Sequence, residues 1–499
     1  MAKSQNSIIQ LRPKGWETDP EHEYFNLSTL DYCVGQVYTN YALFFKLSPD
    51  ANRSKIISTI KDGLEVTLSQ CRQLCGILEP QPDGIGGLCF HKTKHSTVEL
   101  HVQFLDSVQH NPEREHPTFA TLEAQQFASQ ALRNMNTWCV PPMTYGEKPE
   151  AQPSSRPKCA AFKTTFIQGG FVLMMHHHHY ANDVMGWAGE LHQLAENCAA
   201  IWTNPTAPAL PPWDPSCLDL SRVTAPDVSE EKKIDGPISP LRHPGHKKAQ
   251  WLLFHLSKSK TAALKELASP TDGSYYVSSY DAYNALIWRL LTKHRLALFT
   301  DPTAESANTP LLWGEAVDMR RRFSNPPIAP RTQGNVVYVA LSSQSPPELK
   351  PLTISEVVSE APLQKLAWYI RRLTNSVTQE SLTAALNGIA PIRDKKALFL
   401  RVDSLPPLST FVTEWRDTRP CDADFGFGKP HAFRFPFDMV TNGLVVVYPV
   451  RGHGPCGDDE GNEFSIAVEV EIKDALLADE EWNSWFDFRG VDADDIQRE

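Results

Sequence analysis

Apolar residues fall into two recurring patterns along this chain. Short continuous apolar runs, typical of buried strands, stand in the first half at 41–47, 98–104, 159–167 and 170–175. Apolar residues three or four positions apart predict two helices, one that starts at Ser48-Pro49-Asp50 and extends to Leu74, and one over 184–202. The first half therefore predicts strands flanked by helices.

The second half shows the same mixture of patterns. Runs typical of strands stand at 250–257, 334–339, 443–448 and 464–472. A short helix is predicted over 258–267, and Ser278 with Asp281 forms a predicted capping pair for a helix that reaches Leu291. A helix rich in Asp and Glu is expected after residue 472.

Between the halves the composition changes. The stretch 203–247 contains TNPTAPALPPWDPSC and DGPISPLRHPGHKK, which are rich in proline and glycine and have no sustained period. Such a stretch is typical of a linker. We therefore expect an α/β (α+β) protein with one domain over 1–205, a crossover linker over 206–247 and a second domain over 248–499.

Composition and charge narrow the class of protein. Hydrophobic residues make up 41% and charged residues 21% of the 499 positions, a globular balance. The net charge of −11 argues against a nonspecific nucleic-acid or anionic-membrane surface. The chain shows no signal-peptide core, no apolar run near about 18 residues, and ten scattered cysteines. We expect a cytoplasmic protein with reduced thiols and with no membrane or nucleic-acid partner.

The segment with the clearest chemistry is HHHHYANDVMGW, which follows the apolar run 170–175. A strand that ends at His179, followed by a turn and Asp183, can hold an imidazole at the mouth of a cleft. Taken alone, such a histidine is more often a packed core residue than a base. Successive strand residues point to opposite faces, so the four histidines do not converge, and we expect no metal site.

A second segment lies far downstream, where Asp424-Phe425-Gly426-Phe427-Gly428 places two glycines around an aromatic residue. This arrangement predicts a tight, specific bend of the backbone. Taken alone, the segment favours a structural turn.

Together the two segments resemble the signatures of the BAHD acyltransferases, HHxxxDG and DFGWG. The overall layout resembles the fungal branch, which includes the trichothecene 3-O-acetyltransferases. Three further pieces are similar to the family and stand in the family's order, at 280–288, 316–320 and 334–336. The resemblance covers nearly the whole chain.

The resemblance implies a fold of two chloramphenicol-acetyltransferase-like domains, each a mixed sheet flanked by helices, with a channel between them. Acyl-CoA, with acetyl-CoA favoured, would be the co-substrate, and no tightly bound cofactor is implied. The acceptor would be an alcohol or amine of secondary metabolism. His179 would be the general base, without an acyl-enzyme, and the chain would act as a monomer.

The resemblance also implies roles for other residues. Asp183 would brace the catalytic turn by pairing with Arg320. An oxyanion donor is expected at Thr413 or Trp415, and a solvent-facing turn with a core tryptophan is the alternative there. The structural bend would use Asp424, Gly426 and Gly428. Candidates for the phosphates of CoA are Arg321, Arg322 and Lys429.

Two departures from the family pattern leave alternatives open. Val184 replaces the glycine that normally follows the aspartate, and Phe427 replaces the usual tryptophan. A β-branched residue at this turn is stiffer and bulkier than glycine. The same fold could therefore catalyse a cyclisation or condensation, or use a carrier-protein thioester. A degenerate, noncatalytic binding protein is the third reading.

Overall fold

The computed structural model describes residues 6–82, 87–106, 116–299 and 307–494. Its strands, in chain order, are β1 Ser7–Leu11, β2 His22–Asn26, β3 Tyr38–Lys46, β4 Ile77–Pro80, β5 Leu88–Thr93, β6 Val98–Phe104, β7 Ala160–Ile167, β8 Gly170–His178, β9 Ala249–Leu256, β10 Trp313–Asp318, β11 Val337–Leu341, β12 Thr410–Glu414, β13 Ala432–Arg434, β14 Leu444–Tyr448, β15 Asn462–Glu469 and β16 Asp487–Asp494. Its α-helices are α1 Arg53–Gln70, α2 Phe119–Ala124, α3 Met135–Trp138, α4 Val184–Thr203, α5 Lys258–Ala268, α6 Ser279–Phe299, α7 Leu363–Ser376, α8 Gln379–Ile389, α9 Val470–Leu477 and α10 Glu480–Trp485. Within the described ranges, each helix is too short or too polar to cross a bilayer.

Two mixed sheets organise the chain, one for each half. The first sheet has the strand order β1-β6-β7-β8-β3-β13, and the second has the order β11-β10-β12-β14-β15-β9-β16. A smaller sheet, β2-β5-β4, lies in the first half. Strand β13 comes from the second half yet pairs antiparallel with β3, so the two halves are joined by backbone hydrogen bonds as well as by side chains.

Strand β8 is buried on both faces, because helices cover one face and a second apolar cluster covers the other. Leu173 and Met175 belong to the cluster that includes residues of α1 and α4. Val172 and Met174 belong to the opposite cluster, which contains Phe119. This alternation explains the continuous apolar run, and it continues into the histidines that follow.

Several predicted helix boundaries are confirmed and three are wrong: both ends of α1, which ends at Gln70 and not at Leu74, and the end of α6, which extends past Leu291 to Phe299. Helix α4 lies within one residue of the predicted range, and α6 begins at the predicted pair, where the Ser278 N–H donates to Asp281 Oδ2 at 2.6 Å. Helix α1 begins at Arg53 and not at Ser48, because the Asn52 side chain caps it by accepting from the Lys55 N–H at 3.0 Å.

Two strand predictions in the second half need correction, and four strands there, β10, β12, β13 and β16, were not predicted. Strand β11 begins at Val337, because Gly334 has φ +78° and its segment turns toward the first half. Strand β15 ends at Glu469, where α9 takes over at Val470. Of the four, β16 lies at a sheet edge and its sequence DFRGVDAD is mostly polar, so it carries no apolar run typical of a strand.

The stretch predicted as a linker carries little regular structure. Residues 204–248, all of which the structure describes, form only short 3-10 helices and one isolated bridge from Ile234 to Ile392. The domain boundaries expected at 205 and 248 stay a prediction.

Candidate active site

The turn between β8 and α4 places the candidate catalytic residues. Strand β8 ends at His178, and α4 begins at Val184 with Asp183 as its N-cap. The carboxylate oxygen Oδ1 of Asp183 accepts from the Gly186 N–H at 2.8 Å. The cap must stand immediately before the helix, so the spacing of four residues leaves His179 at the start of the turn.

His179 is held by its backbone and by one ring nitrogen. Its N–H donates to the Val37 carbonyl at 2.8 Å, and its Nδ1 lies 3.3 Å from the Asn182 carbonyl. A carbonyl oxygen only accepts, so Nδ1 carries the proton and Nε2 keeps a free lone pair. Burial lowers the pKa of the His179 imidazole below 6.5, although Asp183 and the Asn182 carbonyl oppose this shift.

The other three histidines have different partners. His176 Nε2 accepts from the Val140 N–H at 3.1 Å, and His178 Nδ1 accepts from the Tyr180 N–H at 3.1 Å. His177 Nε2 lies 3.0 Å from a carboxylate oxygen of Glu190. Burial lowers the pKa of His176 to about 3 and that of His178 to about 4. Of the four histidines, His179 is the one that lines the cavity between the two halves.

The carboxylate of Asp183 is bound on both oxygens by an arginine of the second half. Arg320 Nη2 lies 3.0 Å from Asp183 Oδ1, and Arg320 Nη1 lies 3.0 Å from Oδ2. The Val336 N–H also donates to Oδ2 at 2.8 Å. Arg320 donates further to the carbonyls of Thr332 and Gly334, so the guanidinium joins the turn of one half to a loop of the other.

A further contact between the halves involves a pair of residues that the sequence did not assign. The side-chain amide of Asn335 donates to the carbonyl of His179 at 2.9 Å and to Asp31 Oδ1 at 2.9 Å. Asp31 Oδ1 also accepts from the Asn335 N–H at 2.9 Å. Burial raises the pKa of the Asp31 carboxyl to about 6. The available signals in the sequence were Asp31, which ends the segment LSTLD at 27–31, and the pair Gly334-Asn335.

A cavity of about 580 Å³ lies beside His179 and is formed by both halves. Thr413 and Trp415 line it, and the Trp415 indole N–H donates to the Thr413 hydroxyl at 3.0 Å. That contact occupies the indole N–H, so it does not serve as a donor to a reacting group. The Thr413 O–H remains able to donate into the cavity.

Val184 also lines the cavity, directly after the Asp183 cap. Gly186, two positions on, allows close approach, because a Cβ there would lie 2.9 Å from the Gly334 carbonyl and 2.7 Å from Asn182 Oδ1. The turn thus has a valine on the cavity side and a glycine on the packed side.

The DFGFG segment lies outside the cavity lining. Asp424 Oδ1 accepts from the Gly426 N–H at 2.8 Å, and the Phe425 N–H donates to the Gly428 carbonyl at 3.0 Å. Gly426 has φ +83°, and a Cβ there would meet Trp202 at 2.8 Å. The segment therefore closes a tight bend against the end of α4.

The three candidates for the phosphates of CoA are exposed or half-buried and lie outside the core. Arg321 is exposed and pairs with Asp417 at 2.7 Å. Arg322 is half-buried and donates to the Val377 carbonyl. Lys429 is exposed and follows the DFGFG bend. None of the three is among the described residues that line the cavity.

One cluster among the described residues has metal-ligand types. Atoms of His255, Cys456 and Glu460 lie within 4.8 Å of one another. Glu460 is ion-paired with Arg451 and Arg489, and this positive charge opposes a cation there. The cluster is therefore a structural ion-pair network.

Two family models match the chain. The model described as the Trichothecene 3-O-acetyltransferase-like N-terminal domain matches residues 37–198. The model described as the Transferase family matches residues 120–472, which is well over half of the chain.

Individual proteins match over almost the full length. The chain is 49% identical over 485 residues to Acetyltransferase FGR3 of Gibberella zeae, and the aligned region covers 97% of this chain and 94% of that protein. It is 25% identical to Trichothecene 3-O-acetyltransferase TRI101 of Fusarium sporotrichioides, with 91% of this chain and 94% of that protein covered.

Solved structures show the same fold. The F. sporotrichioides TRI101 structure, complexed with coenzyme A and T-2, matches with a TM-score of 0.74 at 23% identity over 93% of this chain and 100% of that one. Vinorine synthase matches with a TM-score of 0.64 at 16% identity over 98% and 99%.

Proposed function

The chain belongs to the Transferase family, which contains the BAHD acyltransferases, and we propose that it transfers an acetyl group from acetyl-CoA to a hydroxyl of a secondary metabolite, with His179 as general base. It is an acyltransferase with acyl-CoA as its co-substrate. The observation that carries the proposed role is that His179 lines the cavity while its Nδ1 contacts the Asn182 carbonyl, which leaves Nε2 with a free lone pair.

In the proposed reaction, His179 Nε2 takes the proton of the acceptor hydroxyl as the oxygen attacks the thioester carbonyl. A carbon–oxygen bond forms, and the carbonyl oxygen becomes an oxyanion. The tetrahedral intermediate then collapses, the carbon–sulfur bond breaks, and the CoA thiolate takes the proton from the imidazolium. The products are the acetyl ester and CoA, and no acyl-enzyme forms.

The proposed oxyanion donor is the hydroxyl of Thr413. Its oxygen accepts from the Trp415 indole at 3.0 Å, which leaves its own proton free for a group bound in the cavity that both residues line. Trp415 is proposed as the residue that orients this hydroxyl. Removal of one such donor typically lowers kcat by about 100-fold or more.

Asp183 and Arg320 are proposed as positioning residues. Both carboxylate oxygens of Asp183 are bound by Arg320, and neither is free to act on substrate. The DFGFG residues Asp424, Gly426 and Gly428 are proposed to act on the fold alone, because their bend lies off the cavity.

For CoA, Arg321, Arg322 and Lys429 remain the proposed contacts of the phosphates. Arg321 is more exposed than its neighbour Arg322. Its ion pair with Asp417 lies at the surface, where such pairs are weak, so a phosphate could replace Asp417. We also propose that the protein is a monomer, because one chain supplies both walls of the cavity. We propose that it acts in the cytosol, with domains over 1–205 and 248–499 joined by the linker over 206–247.

The test is free-thiol release from acetyl-CoA in the presence of candidate alcohols. His179→Ala should lower turnover by about 100-fold or more, whereas His22→Ala, at an exposed histidine that contacts His91, should leave it unchanged. Equal turnover for His179→Ala and the native protein would remove His179 from the mechanism.

The placement of Val184 in the cavity favours one alternative, a carrier-protein thioester donor or a condensation in the same cleft. Calorimetry with CoA separates the two readings. Binding of CoA together with acetylation supports the proposed function. Absence of CoA binding, with His179 still required for product formation, supports the alternative. A native phenotype of cells that carry His179→Ala would support a noncatalytic role.

A further inference from the structure

A cluster of three charged residues forms part of the cavity wall. Arg401 Nε donates to Asp403 Oδ1 at 2.6 Å, and Arg401 Nη1 donates to Glu147 Oε1 at 2.5 Å. Asp403 is buried, and Glu147 is about half exposed. The cluster joins the segment 398–403 of the second half to the first half, and all three residues line the cavity.

This cluster matters because Arg401 is the only arginine or lysine among the described residues that line the cavity. The other charged lining residues are carboxylates. Asp183 and Asp318 are paired with Arg320, and Glu414 is paired with Arg416. The cavity therefore holds no uncommitted guanidinium or ammonium group among those residues.

Most of the remaining wall is apolar. The lining residues that contribute aliphatic or aromatic surface include Val34, Val337, Leu382, Leu386, Phe435 and Phe437. A carboxylate that enters such a cavity loses its hydration and finds its single possible cation already shared by two acids. A neutral alcohol with an apolar frame meets no such obstacle.

We propose that the acceptor is a neutral alcohol with a bulky apolar frame, and that Glu147 determines this specificity by occupying Arg401 and so excluding carboxylate-bearing acceptors. This inference rests on the proposed function, because it assigns the acceptor to the cavity beside His179. Asp403 holds one side of the guanidinium, and Glu147 covers the Nη1 side. Arg242, with its Nε 3.9 Å from Asp403, does not line the cavity.

Two alcohols that differ by one carboxylate test the proposal. The probes are 1-adamantanemethanol and 3-(hydroxymethyl)adamantane-1-carboxylate, which share one rigid apolar cage. Their Kd values are measured by calorimetry on the His179→Ala variant, so binding is read without turnover. We expect the neutral alcohol to bind at least about tenfold more tightly than the carboxylate probe, because the carboxylate probe would bury a charge without a partner.

Glu147→Gln provides the decisive comparison. It keeps the side-chain shape and removes one negative charge, so a neutral amide oxygen that an incoming carboxylate can displace is left on Arg401 Nη1. The carboxylate probe should bind about five- to tenfold more tightly to this variant, and the neutral probe should be unchanged. The matched control is Glu230→Gln, which removes an acid paired with Arg393 at 2.6 Å outside the cavity and should change neither Kd.

Equal Kd values for the two probes, or an unchanged ratio in Glu147→Gln, would overturn the assignment of acceptor class. Failure of the proposed function looks different. In that case the native protein releases no thiol from acetyl-CoA with any alcohol, while the ratio of Kd values and its dependence on Glu147 persist.

Discussion

The carboxylate of Asp183 meets the guanidinium of Arg320 at two points, each 3.0 Å apart, across the two halves of the chain. Asp183 also caps α4, so one residue starts the helix and anchors the turn that carries His179. Arg320 is buried and contacts Asp318 as well. The position of the candidate base therefore depends on an ion pair formed by residues 137 positions apart.

Arg320→Met is expected to lower the free energy of unfolding by about 3–5 kcal/mol, because it leaves the Asp183 carboxylate buried without its cation. Urea unfolding measures the change. Arg321→Met, next in the chain and exposed, removes an ion pair with Asp417 and should cost about 1 kcal/mol or less. Equal losses for the two variants would contradict the bracing role.

The acid limb of kcat/KM is expected to have its midpoint below pH 6.5. Burial lowers the pKa of His179, so the base stays unprotonated to a lower pH than a free imidazole and loses activity as pH falls through its own pKa. The measurement is a pH profile with a neutral alcohol. A midpoint at or above 6.5 would contradict the observed environment of His179.

Thermal unfolding over the same pH range is the control for that profile. The pKa values of His176 and His178 are about 3 and 4 in the folded protein, well below the ordinary 6.5. The unfolded chain binds protons at these residues first, so their contribution to stability is present above pH 6.5 and is lost as pH falls toward 4. Rates are compared only where the protein is folded.

Asn335→Ala is expected to lower kcat about tenfold or more, with KM for acetyl-CoA within about twofold, because the His179 carbonyl loses its side-chain donor. Asp31 holds that amide, so Asp31→Ala should add little in the Asn335→Ala background. Additive losses would mean that the two residues act separately.

A buried acid elsewhere controls for loss of stability alone. Asp492 accepts from the Ser129 N–H at 2.8 Å and from Ser465 at 2.7 Å, and it lies outside the cavity lining. Asp492→Asn should lower the midpoint of thermal unfolding and leave kcat of the folded enzyme unchanged. A matching fall in kcat would assign the Asn335 effect to general destabilisation.

Val184→Gly is expected to widen the range of acyl donors. The side chain of Val184 lines the cavity beside the turn, and its removal makes room for a longer acyl chain. The ratio of the rate with hexanoyl-CoA to the rate with acetyl-CoA should rise about tenfold, which is the usual change in selectivity when one or two methyl groups are removed from a pocket. An unchanged ratio would place the acyl group elsewhere in the cavity.

Gly426→Ala is expected to destabilise the fold by about 1–3 kcal/mol, because φ is +83° and the new Cβ would meet Trp202 at 2.8 Å. Gly428→Ala, at φ +148° with open space around it, separates backbone strain from the clash. Denaturant unfolding gives both values. Kinetics of the folded variants should equal those of the native protein, and a selective fall in kcat would contradict a purely structural bend.

Part of the local structure followed from short-range patterns, whereas strands such as β10 and β12 and helices such as α7 and α8 were not predicted. Helix α4 was predicted within one residue, since its apolar spacing and its cap are both readable along the chain. Strand β16 was missed, because an exposed edge strand needs few apolar residues and its pairing with β9 lies about 240 residues away in sequence. The start of β11 was misplaced, because Gly334 turns toward Asn182 of the other half.

The candidate site divides in the same way. Spacing and resemblance were enough to point to His179 and Asp183, since the strand, the cap and the helix that hold them are consecutive in the chain. The Asn335–Asp31 pair, the Arg401–Glu147 contact and the Trp415–Thr413 orientation required the assembled fold. Hydrogen bonds and ion pairs depend on distance in space, and a chain folded from two halves brings together residues whose separation in sequence carries no such information.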